Sequence, residues 1–168
     1  MCLKKIQRGG FFAKFIVGAA IVMISAAIAP TANAAADDAC SLLSSAQVGA
    51  AAGVPFGAGT YATAIFKKTC TWMTSGNDPK TAETITLYLQ SVDAFESGKR
   101  FGGAKSAAIT PVSGIGDDAY YLVIGTTVSI QVKKGNTAFK VTVYTNGISA
   151  EKKQAIEKAL AQQVVGKL

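Results

Sequence analysis

The chain has 168 residues, 17 Lys and Arg against 10 Asp and Glu, three cysteines and no histidine. Without histidine, Ser-His-Asp and Cys-His catalysis and every His-dependent metal site are excluded. The length fits one domain with room for a buried core.

Residues 1–34 read as a secretory signal peptide and 35–168 as a single mature domain. Lys4, Lys5, Arg8 and Lys14, with no acid among them, precede an apolar run from Phe15 to Ala29. Pro30 then breaks any continuing helix, and Ala32 and Ala34 supply the small-x-small pattern of a cleavage site. Cleavage is expected after Ala34, with Ala36 as the alternative. The apolar run is shorter than the roughly 20 residues that span a bilayer, and neither Cys2 nor Cys40 stands in a lipoprotein context. The expectation is an exported protein, periplasmic or secreted, with no stable membrane anchor after cleavage. Four of the seven net positive charges belong to the leader. The remaining cations come singly or in pairs (Lys67-Lys68, Lys99-Arg100, Lys133-Lys134, Lys152-Lys153) without a basic stripe, so nucleic acid is not expected as a partner. Export removes Cys2 and leaves Cys40 and Cys70, an even count in an oxidising compartment, which predicts a disulfide between them.

Along the mature chain, Ser44 and Gln47 form a capping box flanked by Leu43 and Val48 at staple positions. They predict a short helix over about residues 45–52, closed by Gly53 and Pro55. The small residues from Gly57 to Ala64 read as a loop or weak strand. Thr69 to Thr74 reads as a strand in which Cys70 and Trp72 share the inward parity, followed by a turn at Ser75-Gly76-Asn77-Asp78-Pro79. From Glu83 to Ser91, Ile85, Leu87 and Leu89 alternate with Thr84, Thr86, Tyr88 and Gln90, the pattern of a half-buried strand. Ser91 predicts a helix over about residues 92–101 with Val92, Phe95 and Phe101 facing inward, ended by Gly102-Gly103. A short strand is expected from Ile109 to Val112, then a loop at Ser113 to Asp118. The segment from Ala119 to Ile124 is apolar on both faces, which suggests a central strand. Val128, Ile130 and Val132, then Phe139, Val141 and Val143, alternate with polar residues on either side of a turn at Lys134-Gly135-Asn136, the pattern of an antiparallel meander. Ser149 starts a last helix whose apolar stripe is Ile156, Ala159, Leu160 and Val164, with Lys152, Lys153, Glu157 and Gln162 on its polar face. The fold class is α+β: an antiparallel sheet of about five to six strands with N-terminal, middle and C-terminal helices packed mainly on one face.

Little in the chain points to chemistry. Asp117-Asp118 is the one acidic pair after the mature N-terminus, but no further oxygen donors alternate with it as a Ca²⁺ loop requires, and it reads as a turn. Gly114 and Gly116 precede a strand rather than a helix, unlike a phosphate-binding loop. No catalytic residue, metal site or cofactor is expected. Sheet parity places Met73, Tyr88, Gln131, Lys140 and Tyr144 on the outer face, a mixed aromatic and basic surface suited to a ligand or protein partner.

Three pieces, Cys40-Ser41-Leu42-Leu43-Ser44-Ser45-Ala46-Gln47-Val48, Cys70-Thr71-Trp72 and Gly114-Ile115-Gly116-Asp117-Asp118-Ala119-Tyr120, occur in an order that resembles a family of exported bacterial proteins of unknown function. Many of its members are actinobacterial lipoproteins, opening on Cys-x-Leu-Leu-Thr-x-x-Glu-Val and carrying a Cys-Thr-Trp strand and a Gly-x-Gly-Asp-x-Ala-Tyr loop. Here Gln47 replaces the usual acid, and no lipoprotein cysteine is present. The resemblance implies the disulfide and an α+β fold akin to the PsbP-like architecture, and it brings no catalytic residues. The leading expectation is a non-enzymatic exported binding or interaction module acting on an unknown protein or small-molecule ligand, its oligomeric state open. The alternatives are a hydrolase-like enzyme using Asp117 or Asp118, with Gly114 and Gly116 in its functional loop, and a carrier of small apolar ligands.

Overall fold

A computed structural model describes residues 37–74, 82–102, 107–145 and 147–168. The leader, both cleavage candidates, Gly103 and the turn expected from Ser75 to Pro79 lie outside the described residues. The elements, in chain order, are α1 (Ala39–Leu42), α2 (Ser45–Ala52), β1 (Thr60–Thr63), β2 (Phe66–Met73), β3 (Thr84–Gln90), α3 (Val92–Phe101), β4 (Ala107–Pro111), β5 (Asp118–Ile124), β6 (Thr127–Lys134), β7 (Thr137–Tyr144) and α4 (Ala150–Val165).

Each of the three longer helices begins where a serine can satisfy a free amide. At α2 the box is reciprocal: Ser44 Oγ accepts the Gln47 N–H at 3.3 Å, and Gln47 Oε1 accepts the Ser44 N–H at 3.0 Å. Gly53 closes this helix at φ 80°, a left-handed conformation that costs glycine little. Ser91 accepts from the Ala94 N–H at 3.1 Å, and Ser149 accepts from the Lys152 N–H at 3.3 Å.

The seven strands form one antiparallel sheet in the order β1-β2-β3-β7-β6-β5-β4. Two meanders, β1-β2-β3 and β4-β5-β6-β7, are therefore joined by a single ladder in which Thr84 to Gln90 pair with Tyr144 to Ala138. The sheet exceeds the expected five to six strands. The addition is β1, whose residues are all exposed; with no buried face it carries no alternation to read. The expectation for Ala119 to Ile124 is also corrected, because β5 is the penultimate strand, next to β4 at the edge. It is apolar on both sides because both sides are covered: Tyr121 and Ala119 belong to the main core, and Tyr120 to a second cluster on the opposite face.

The inner face is the main core. Cys70 and Trp72 from β2, Ile85, Leu87 and Leu89 from β3, Phe139, Val141 and Val143 from β7, and Val128, Ile130 and Val132 from β6 pack with Leu42, Val48, Ile156, Leu160 and Val164. Burying each such aliphatic side chain stabilises by about 1.5–3 kcal/mol before conformational entropy is set against it. Cys40 and Cys70 are disulfide-bonded, with Cα atoms 5.0 Å apart, so α1 is tied to β2. Gly59 passes so close above this pair that an added Cβ would collide with Cys70 Sγ and the Trp72 indole.

Helices do not all share that face. Phe95 of α3 is buried against Tyr120 and Ala138, with Ile109 and Leu122 partly buried around them, on the other side of the sheet. The Phe95 and Tyr120 rings are 5.0 Å apart and tilted by 54°. Tyr120 donates its hydroxyl to the Phe95 carbonyl at 2.9 Å, and Gly98 leaves space for that hydroxyl. Two ion pairs of 2.6 Å, Lys133–Glu96 and Lys99–Asp118, join α3 to β6 and β5. The expectation that Phe101 faces inward is corrected too: it is exposed, one position short of buried Gly102, which lies seven residues on from Phe95.

Candidate functional site: the open part of the outer sheet face

Strand pairing arranges the outer face in rows. Met73, Thr84 and Tyr144 lie side by side across β2, β3 and β7. The next row holds hydroxyls: Thr60, Thr71, Thr86, Thr142 and Ser129 are successive register partners across five strands. Thr71 Oγ1 and Thr86 Oγ1 stand 3.4 Å apart. A third row holds Thr69, Tyr88, Lys140 and Gln131. Lys140 Nζ lies 5.7 Å from the centroid of the Tyr88 ring, a cation–π geometry that draws the ammonium along the sheet.

Of the five residues assigned to this face, four reach solvent. Met73 is 51% exposed and Tyr144 47%, while Tyr88 and Lys140 are half-buried. Gln131 does not contribute an accessible side chain, being only 4% exposed. Its register neighbour is Tyr120, so it sits beside the cluster capped by Phe95. Its amide is spent internally: Oε1 accepts from Gln90 Nε2 at 2.8 Å, and Nε2 donates to Ser129 Oγ at 3.2 Å. Period-two parity placed Gln131 on the correct face but could not place α3 next to it.

The loop through Gly114, Gly116, Asp117 and Asp118 is built into the meander. Gly114 and Gly116 adopt φ 78° and 60°, and a Cβ on Gly116 would strike the Lys133 carbonyl. Between them Ile115 is buried in the main core. Asp117 donates its N–H to Lys133 O at 2.8 Å and receives the Gly135 N–H on Oδ2 at 2.6 Å. That backbone donor, assisted by Lys134, holds the Asp117 carboxyl below its usual range. Asp118 begins β5 and pairs with Lys99. Among the described residues no group of three or more acids or cysteines is disposed to hold a metal ion.

One titratable residue escaped the sequence pattern. Glu157, assigned to the polar face of the last helix, is fully buried. Its Oε1 accepts the Val143 N–H at 3.1 Å, and its Oε2 has no hydrogen-bond partner. The β6–β7 ladder ends at Ser129–Thr142, so the carboxyl meets a strand amide just past that end. Burial pushes its pKa up to about 8, against the Val143 amide and Lys153, which favour the anion. Tyr121 feels it in turn: burial, then the Glu157 charge, push that phenol to about 12. A line through Glu157, Ala161 and Val164 at i, i+4 and i+7 would have revealed a second buried edge of α4.

A groove of about 440 Å³ runs along α2, lined by Ser45, Ala46, Gly49 and the segment from Gly53 to Phe56. No strand residue lines it. No helix among the described residues is long and apolar enough to cross a membrane.

No protein-family model, curated protein or solved structure matches the chain at a significant level. The resemblance to exported bacterial proteins of unknown function therefore rests on the short motifs alone.

Proposed function

We propose that this protein is a non-enzymatic exported binding module that meets its partner on the part of the outer sheet face left open by α3. The observation that supports this reading is the exposure of Met73 and Tyr144 on a paired, seven-stranded sheet, with Tyr88 and Lys140 two rows away, beyond the threonine row. Large, stiff amphipathic side chains on a fixed backbone bury area at little entropic cost, which is why tyrosine is enriched at interfaces. Beside Gln131, α3 covers Tyr120 and Ala138 and is held there by its ion pairs, which bounds the open rows on that side.

The hydrolase-like alternative draws less support. Both candidate carboxylates are engaged: Asp117 by the Gly135 amide, which holds the loop, and Asp118 by Lys99, which ties α3 to β5. The carrier alternative requires space between helices and sheet, whereas the groove along α2 is lined by α2 and its own C-terminal segment.

The test is capture from the exported fraction by wild-type protein and by Tyr88→Ala and Tyr144→Ala, followed by native mass spectrometry of protein taken from its own compartment. Loss of a specific mass adduct or partner in both variants, with unchanged thermal unfolding, is the expected result. Identical partners for wild type and both variants would exclude the face.

A further inference from the structure

We infer that the tip of the β1–β2 hairpin is a docking finger for an anionic lipid surface. Among the described residues three hairpins turn on two residues: Ala64-Ile65, Gly125-Thr126 and Gly135-Asn136. The second and third place glycine at φ 58° and 56°, the left-handed geometry that tight turns between twisted strands favour. The first has neither glycine nor asparagine, and its turn holds a β-branched apolar residue. Ile65 is 94% exposed and the adjacent Phe66 is 42% exposed. Every residue from Thr60 to Lys68 is exposed, so the hairpin projects from the sheet without covering any core.

Local rules broken in a chain that obeys them elsewhere point to a site. Turn chemistry and solubility both disfavour isoleucine there, and neither is compensated inside the protein. Chemistry names the occupant. Lys67 and Lys68 follow the apolar pair directly, and there is no acidic residue from Gly57 to Met73. Asp38 accepts from the Tyr61 hydroxyl at 3.0 Å and stands 4.0 Å from Lys67, a loose and partly exposed pair. Lys68 has no ion pair among the described residues. An apolar tip backed by two ammonium groups suits the boundary between acyl chains and phosphates: the side chains of Ile65 and Phe66 enter, and the lysines meet anionic headgroups. The contact is reversible, since one such finger lacks the apolar area of a permanent anchor. It is separate from the open sheet face and would stand or fall independently of it.

The experiment uses the processed protein, its N-terminus read by mass spectrometry, with vesicles of phosphatidylglycerol mixed with phosphatidylcholine and vesicles of phosphatidylcholine alone. Co-sedimentation with the anionic vesicles, falling with added salt, is expected. Ile65→Asp should lower the apparent partition by about tenfold or more, and Lys67→Glu with Lys68→Glu by a similar factor. Because all three positions are exposed, circular dichroism melting should match wild type, and any variant that fails this check is replaced by Ile65→Trp. The fluorescence of Ile65→Trp should shift to the blue with anionic vesicles, over a constant background from buried Trp72. Absence of binding to anionic vesicles overturns the inference, as does equal binding to both vesicle types, an unweakened Ile65→Asp, or an unshifted Ile65→Trp.

Discussion

The two faces of the sheet are both covered by helices, yet they are built on different scales. On the inner face, α1, α2 and α4 close over a continuous core running from Cys70 on β2 to Ala119 on β5, with a disulfide at one end. On the outer face, α3 closes over Phe95, Tyr120 and Ala138 and relies on two partly exposed ion pairs to hold it. Exposed pairs are worth at most about 1 kcal/mol each, so the smaller cluster must carry most of the attachment. The difference teaches that one face defines the fold while the other shapes a surface, by deciding which outer residues stay open.

The largest expected effect lies on the inner face. Trp72→Ala should destabilise by about 3–5 kcal/mol, measured by urea unfolding, because the surrounding sheet cannot collapse into the vacated space. Breaking the disulfide comes next. Cys40→Ser with Cys70→Ser should cost about 3–4 kcal/mol through the freed loop, and reductant added to wild type should reproduce that loss without adding to it in the variant. Phe95→Ala sharpens the comparison. A loss at or below about 3 kcal/mol is expected, together with faster hydrogen exchange confined to α3; a global loss equal to that of Trp72→Ala would show that the faces unfold as one.

Glu157 supplies a pH dependence belonging to the inner face alone. Its pKa is raised from 4.5 to about 8 on folding, so between these values the native state holds a proton that the unfolded chain releases. Stability from this group is fully present below the unfolded pKa and is lost as pH rises through about 8. Lys153, on the same helix, is the charged group that acts on it, and Tyr121, on β5, feels its charge in turn. Wild type should lose about 2 kcal/mol relative to Glu157→Gln between mildly acidic and mildly alkaline pH, seen as converging melting curves in acid. Parallel curves at all pH values would show that the carboxyl is not neutral in the fold. The smallest effect is expected at the open surface, where Tyr144→Ala should change stability by no more than about 0.5 kcal/mol.

Sequence pattern captured what is local or periodic. The Ser44–Gln47 box, the Ser91 and Ser149 caps, and the alternation in β3, β6 and β7 each rest on interactions between near neighbours or on one continuously buried face. What it missed depends on a second element coming from elsewhere. The helix at Val92 to Phe101 was legible, but a helix with one apolar line does not announce which side of a sheet it will cover, and so Gln131 was expected to be open. Glu157 was hidden because α4 is buried along a wider band than a single stripe. The hairpin at Ala64-Ile65 was missed because every residue there is exposed, leaving no hydrophobic period to detect.

The ladder between β3 and β7 carries a consequence for how the molecule assembles. Each meander forms from short-range pairings, but neither is complete without that seam, which joins a strand near the middle of the chain to one close to its last helix. Closing so long a loop costs entropy before any contact repays it, and such topologies fold slowly. Until the seam closes, β3 exposes the backbone amides and carbonyls of one edge beside the apolar row Ile85, Leu87 and Leu89. An unpaired edge of that kind invites pairing with another chain. Aggregation during refolding should therefore depend on how soon β7 arrives.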